Sequence, residues 1–411
     1  MSTLSQLDHP NLPVVTGLGA LCSIGRNVPA FWESVRTGRN GAREVRSFDT
    51  SQLRNQVGCE VAQEDLEAAL DALGQPHWRG LPRASRLACV AGAEALAHAE
   101  LDGAEIDGLC VGTTTIDMPE VEDRLSGYAD PTNAEPIADV VEESFAGRIG
   151  RHLGINGPAL TVATSCSAGN IAICRALDLI RTGRAHRMLV GGSDAFSKVA
   201  FVGFSRMRAM APEICAPFSN HRRGMLLGEG SAFLVVESLR SARRRGAQVL
   251  AAAPGYGLSC DAHHIATPAP NGRGAAEAMR RALADSGVDG NTVDYVCAHG
   301  TGTFHNDLAE SKAITDVLGE RRPFVSSLKA LTGHCLGAAS ALEAVASVLS
   351  LTQQRWIPAW NVQEQDERCT VRLPLPDTAG EIPTEPSIQT VLSNALAFGG
   401  NNSCLVLKRF A

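Results

Sequence analysis

Apolar, β-branched runs recur along the chain with few polar residues inside them: PVVTG (13–17), GLCVG (108–112), ALTVAT (159–164), RMLVGG (187–192), SAFLVVES (231–238), VDYVCAHG (293–300), FVSSL (324–328), TVLSNAL (390–396) and SCLVL (403–407). A strand with one wet face alternates apolar and polar side chains, whereas a strand covered on both faces does not. Helical patterns lie between these runs, at 85–100, 166–183, 274–287, 306–319 and 333–353, several of them rich in Ala and Gly. Doubly covered strands alternating with helices predict an α/β fold. With 44% hydrophobic and 20% charged residues, the chain has material for a large core and does not resemble a disordered one. Its 411 residues suit two or three domains or one large fused α/β unit. The strand–helix sets before and after about residue 250 predict two halves, 1–250 and 251–411. The least regular stretches, about 39–80 and 117–140, are expected to be surface insertions.

A net charge of -7 leaves no global footprint for nucleic acid. No apolar run reaches the roughly 18 residues of a membrane helix, so no membrane partner is expected. The opening MSTLSQLDHPNLP lacks the basic and apolar regions of a secretory signal, which points to the cytoplasm. The 12 cysteines form no CxxC pair, and most are expected to be small buried hydrophobes rather than disulfides.

Cys166, in TVATSCSAGN, ends one apolar run and opens a helical pattern. A thiol at a helix N-terminus meets free N–H groups and the positive end of the dipole, which predicts a lowered pKa and a thiolate nucleophile. His299, in CAHGTGTFHND, follows a strand and precedes small residues, in a loop position where catalytic side chains project. His334, in SSLKALTGHCLGAAS, is expected near a helix start, where the imidazole stays neutral and donates through Nε2–H. Lys329 lies in the same turn, with Glu310 as a candidate partner. Gly399 and Gly400, in SNALAFGGNNS, bring backbone N–H groups close to a ligand in the manner of an oxyanion hole. A dinucleotide-binding turn at VVTGLGALCSIG (14–25) is rejected, because Cys22 stands where the third glycine belongs. A zinc site from Cys166, Cys297, His299, His334 and Cys335 lacks the usual paired spacing. A thiol protease leaves the second histidine and Lys329 without a role.

These motifs, in this order and nearly end to end, resemble the β-ketoacyl-acyl carrier protein synthases, the elongating condensing enzymes of the thiolase-like family. The likeness runs from VVTGLGALCSIGRNVPAFWESVRTGRNG (14–41) through SCSAGN, PFSNHRRGMLLGEGSAFLVVE, HGTGTFHNDLAE and LKALTGHCLGAAS to NALAFGGNNS. It implies a five-layered αβαβα fold of two related halves, with no metal and no organic cofactor. It places the family's Cys–His–His set on Cys166, His299 and His334, the supporting lysine on Lys329 with Glu310, and the gate and oxyanion segment on Phe398 and Gly399. The implied reaction is decarboxylative condensation of an acyl-Cys166 thioester with malonyl-loaded acyl carrier protein. The implied partners are that carrier, acyl- and malonyl-loaded, and a second subunit in a homodimer or ketosynthase heterodimer.

Departures from the family pattern bear on the pathway. Ser165 stands where the fatty-acid enzymes usually have alanine, HGTGT replaces HGTST, Leu396 and Ala397 replace Phe and Gly before the gate, and Arg223 interrupts Arg-Asp-Gly. These leave the chemistry intact and the pathway open: type II polyketide, polyene or specialised fatty-acid synthesis stands beside housekeeping fatty-acid elongation, and the small, partly polar stretch at Thr113, Thr114 and Thr115 favours the polyketide or polyene role. Two other readings compete. A chain-length factor lacks the nucleophile, and a thiolase uses a second cysteine, for which Cys335 is the candidate. By resemblance Thr115 lines the acyl pocket, in a small, partly polar GTTT stretch. Arg208, Arg83 and Arg86 are the expected contacts for an acidic carrier.

Overall fold

The computed structural model describes residues 8–127, 144–376 and 387–410. Its strands are β1 (Pro13–Cys22), β2 (Arg43–Glu44), β3 (Val57–Gly58), β4 (Gly108–Gly112), β5 (Ala159–Val162), β6 (Arg187–Asp194), β7 (Gly230–Ser238), β8 (Ala251–Cys260), β9 (Tyr295–Cys297), β10 (Phe324–Ser326), β11 (Thr390–Leu396) and β12 (Asn401–Lys408). The helices are α1 (Val28–Thr37), α2 (Gln63–Leu73), α3 (Arg83–His98), α4 (Met118–Gly127), α5 (Phe145–His152), α6 (Ala168–Arg181), α7 (Lys198–Arg206), α8 (Leu239–Arg245), α9 (Arg273–Ser286), α10 (Phe304–Leu318), α11 (Lys329–Thr332) and α12 (Ala339–Gln353).

Ten strands pair in the order β10-β9-β11-β12-β8-β1-β7-β6-β4-β5, joined in the middle by two antiparallel pairs between β1 and β8. Outward from that junction the two arms repeat. β1, β7 and β6 are antiparallel neighbours, followed by parallel β4 and β5. β8, β12 and β11 are antiparallel neighbours, followed by parallel β9 and β10.

The two-residue period of a strand sends alternate side chains to opposite faces. On β7, Ala232, Leu234 and Val236 join a central cluster with Ala172, Ile173 and Leu177 of α6 and Leu342 and Val345 of α12. Phe233 and Val235 turn instead to an outer cluster with α3 and α5. On β12, Leu405 and Leu407 enter the central cluster, while Cys404 and Val406 meet α9 and α10 in a second outer one. The layers are therefore helices, sheet, helices, sheet, helices. This is the expected αβαβα arrangement, and it explains why the strands read as unbroken apolar runs.

Helix α12 sits in the middle layer, buried without a break from Ala339 to Leu351. The span Leu336–Gln353 is long and apolar enough to cross a membrane by length and composition, contrary to the expectation that no run reaches that length, but most of it is buried inside the fold. The stretch 39–80 is not merely an insertion: α2 lies within it, and Leu66, Leu70 and Trp78 are core residues. Of 117–140, α4 is described, while 128–140 lie outside the described residues.

Candidate active site

In each arm three parallel strands end on the same side, and loops at the carboxyl ends of such strands converge on ligands. Here the loops after β5, β9, β10 and β11 meet at one cavity of about 490 Å³, lined by Cys166, His299, His334 and Phe398 among others. Cys166 follows Ser165, which adopts a left-handed conformation (φ 53°), so the chain turns sharply from strand to helix and presents the thiol at the bend. Such a conformation is uncommon for a residue with a Cβ, and strain of this kind gathers at functional sites.

Nε2 of His334 lies 3.0 Å from Sγ of Cys166. The rings of His299 and His334 stand edge to face, 5.3 Å apart. Nζ of Lys329 is 3.2 Å from Nδ1 of His299 and makes a short contact with Oε1 of Glu343. All five side chains are buried. Burial, followed by the charge of Lys329, holds both imidazoles well below the usual histidine range, so both are neutral. Burial works against the ammonium of Lys329, yet Glu343 outweighs it and keeps the lysine protonated. An ammonium has only donors, so it fixes Nδ1 of His299 as an acceptor and leaves Nε2–H as the donor. Among the described residues Nδ1 of His334 has no hydrogen-bond partner to pin its tautomer.

The thiol differs from the expectation. Burial pushes Cys166 up to about 11, with Asp194 adding to the rise; Lys329 and the N–H groups of Phe398 and Cys166 itself pull the other way. Helix α6 starts only at Ala168, two residues past the thiol, and burial is the largest influence on it. The Cys166 side chain rests as a neutral thiol.

Glu310 makes no direct ion pair with Lys329 among the described residues, although its charge helps to hold the ammonium. Its carboxylate accepts the backbone N–H groups of His299 and Gly300, each at 2.8 Å, and so shapes the loop after β9. The lysine pairs with Glu343, which sequence reasoning missed. The available signal was a lone acid in ASALEAVASVLS, an otherwise uncharged helical pattern. Gly399 donates its N–H to Ile265 O at 2.7 Å, and Gly400 to Ala397 O at 3.0 Å. Neither is available to an oxyanion. The N–H groups directed at the sulfur are those of Phe398 and of Cys166 itself. The Phe398 ring packs against Phe204, with centroids 5.7 Å apart.

Thr115 does not line the cavity: its N–H and hydroxyl donate to Asp194 at 2.8 and 2.9 Å. An apolar cavity beside Phe398 instead runs between Ser165, Ala200, Gly203, Phe204, Met207 and Ile265. Arg83 is committed to Glu229, to the Val61 carbonyl and to Gln63, and is not a free surface cation. Arg86 is half-buried, with Nε enclosed, and neither arginine lines the catalytic cavity. Arg208 does line it, together with Arg223. Among the described residues no group of three or more His, Cys, Asp or Glu is arranged to hold a metal.

The cavity thus brings together a buried thiol, two neutral imidazoles and two N–H groups directed at the sulfur. Models of the β-ketoacyl synthase N-terminal and C-terminal domains match residues 13–242 and 250–363, and the chain belongs to the β-ketoacyl synthase family. It is 37% identical over 408 residues to nodulation protein E of Rhizobium meliloti, covering 96% of this chain and 98% of that one. It is 34% identical over 413 residues to 3-oxoacyl-[acyl-carrier-protein] synthase 2 of Staphylococcus aureus, covering 97% and 98%. Among solved structures it resembles the ishigamide ketosynthase/chain length factor, with TM-score 0.87 and 35% identity over 98% of this chain and 100% of that one.

Proposed function

We propose that the chain carries out decarboxylative condensation in two half-reactions at Cys166. In the first, Sγ attacks a carrier thioester, its proton passes to Nε2 of His334, and the tetrahedral oxyanion is held by the N–H groups of Cys166 and Phe398. The leaving pantetheine sulfur takes the proton from His334. In the second, the carboxylate carbon–carbon bond of a malonyl thioester breaks, releasing carbon dioxide and placing the electron pair on the thioester as an enolate. His299 donates Nε2–H to that oxygen; His334, freed from the thiol, donates as the Nε2–H tautomer. The enolate carbon attacks acyl-Cys166, and the sulfur leaves as a thiolate that takes up a proton from solvent to restore the resting thiol.

The observation that carries this reading is the pair of neutral donors at one thiol, where hydrolysis needs a single imidazole. The test is malonyl-carrier decarboxylation by His299→Ala and His334→Ala. Each is expected to fall by about 10²–10³-fold, the usual cost of a lost oxyanion donor. Acyl loading of Cys166 should suffer more in His334→Ala, because only His334 touches the sulfur. Undiminished decarboxylation in both variants refutes the assignment.

The division at 1–250 and 251–411 is supported by the repeated strand order, one half bringing the nucleophile and the other both histidines. A specialised type II pathway, with a chain-length-factor-like second subunit, is supported by the likeness to the ishigamide pair. Thr115 lends that reading nothing. Twelve unpaired cysteines support a reducing compartment, the cytoplasm. Cys166 in a complete site argues against a non-catalytic partner subunit, and Cys335 bonds to backbone carbonyls, away from any base role.

The side chains of Arg208 and Arg223 at the cavity make no hydrogen bond or ion pair among the described residues, which leaves two cations for an acidic carrier. Reversing both to Glu should raise KM for carrier-bound substrate about tenfold and flatten its salt dependence. Short pantetheine thioesters should be unaffected. Equal losses on both substrates rule out steering.

A further inference from the structure

Asp194, the last residue of β6, is completely buried and takes no part in the half-reactions above. Its Oδ1 accepts from Thr113 Oγ1 (2.9 Å), Thr114 N (3.0 Å), Thr115 N (2.8 Å) and Thr115 Oγ1 (2.9 Å). Its Oδ2 accepts from Thr114 N (3.0 Å) and from Gly337 N (2.7 Å). Every donor is neutral, and among the described residues no cation pairs with it. An uncompensated buried carboxylate is costly and rarely retained without a role.

The donors belong to segments on either side of the reaction centre. Gly337 lies three residues after His334, just past Leu336, which is held left-handed (φ 50°). His334 is tied on its other side, its N–H to Leu226 O at 2.7 Å and its carbonyl to Gly228 N at 2.9 Å. Residues 113–115 extend β4, whose final Gly112 packs so tightly on Ala168, two residues after Cys166, that a Cβ there would come within 2.3 Å of the Ala168 carbonyl carbon. Gly169 is equally close to the His334 side: its Cβ would meet Gly337 O at 2.9 Å and Ala341 N at 2.8 Å. The turn carrying the thiol and the turn carrying the imidazole thus meet at one anchor.

We infer that Asp194 is a positioning residue for condensation: it fixes the turn behind His334 against the turn behind Cys166 and so sets the distance from imidazole to sulfur. Its charge, buried without a counterion among the described residues, also disfavours a resting thiolate at Cys166. In Asp194→Asn one oxygen becomes a donor, and either Gly337 or the threonine loop loses its acceptor.

The inference rests on the roles proposed for His334 and Cys166, and native enzyme run in parallel separates the two: if it fails to decarboxylate malonyl-carrier, those roles fail. The alkylation profile of Cys166 tests Asp194 without turnover. In Asp194→Asn, decarboxylation should drop about 10²-fold, the scale of an ångström-sized misplacement. The iodoacetamide profile of Cys166 should move to lower pH, because a nearby negative charge is gone. A merely structural role would not lower that profile. Thr115→Val, which removes one hydroxyl donor from a half-buried site, should lose part of both acyl loading and decarboxylation, and it decides the matter if the Asn variant fails to fold. Unchanged decarboxylation in Thr115→Val and in a folded Asp194→Asn, or an Asn variant with an unmoved alkylation profile, overturns the inference.

Discussion

Cys166→Ala should abolish acyl transfer while the protein keeps its fold, read as the loss of the acyl mass shift on the intact protein after incubation with acyl-carrier. The side chain is small and gives up only the contacts of the thiol with His334 and the neighbouring N–H groups, so the cost in stability is about 1 kcal/mol. Retained acyl mass, or acyl mass on another cysteine, refutes the nucleophile. The pH behaviour follows from burial. A thiol pushed up to about 11 is almost wholly protonated near neutrality. Its alkylation by a neutral reagent should climb with pH toward that value, with no plateau near pH 7 such as a thiolate–imidazolium pair gives. Enzymatic acylation should not follow that rise, since the substrate complex moves the proton to His334.

Much of this site was legible in the sequence because its parts sit where chain patterns change. Cys166, His299 and His334 each follow an apolar run and precede small residues or a helix, and strand ends in an α/β fold lie together. What the sequence could not show were partnerships across the fold. Glu310 and Glu343 are both buried acids near Lys329, and only the packing of α12 against the loop after β10 decides between them. The glycines at 399 and 400 invited an oxyanion role, but their N–H groups are used within the gate segment and its neighbour. Thr115 followed the same logic: a polar strand end suggested a wet tunnel, while its hydroxyl turns inward to a carboxylate 79 residues away. The dipole argument for Cys166 failed for a different reason. It weighed one local term and left out burial, which no short motif reveals.

The ion pair of Lys329 and Glu343 separates stability from catalysis. Glu343→Leu leaves an ammonium in the core without its counter-charge, and such a loss costs about 3–5 kcal/mol. Lys329→Met should cost less. It leaves Glu343, whose carboxyl burial already pushes up, free to take a proton and become neutral. The double variant Lys329→Met/Glu343→Leu removes both charges and fills the space with apolar groups, so it should recover most of the stability lost in Glu343→Leu, as measured by urea unfolding. Decarboxylation should not recover. Without the ammonium nothing holds Nδ1 of His299 as an acceptor, and the imidazole no longer keeps Nε2–H aimed at the enolate. The expected double variant is well folded and slower in decarboxylation by about 10²-fold or more. If it decarboxylates at the native rate, Lys329 does not set the tautomer of His299. If it is as unstable as Glu343→Leu, the unpaired charge is not what makes that single variant weak.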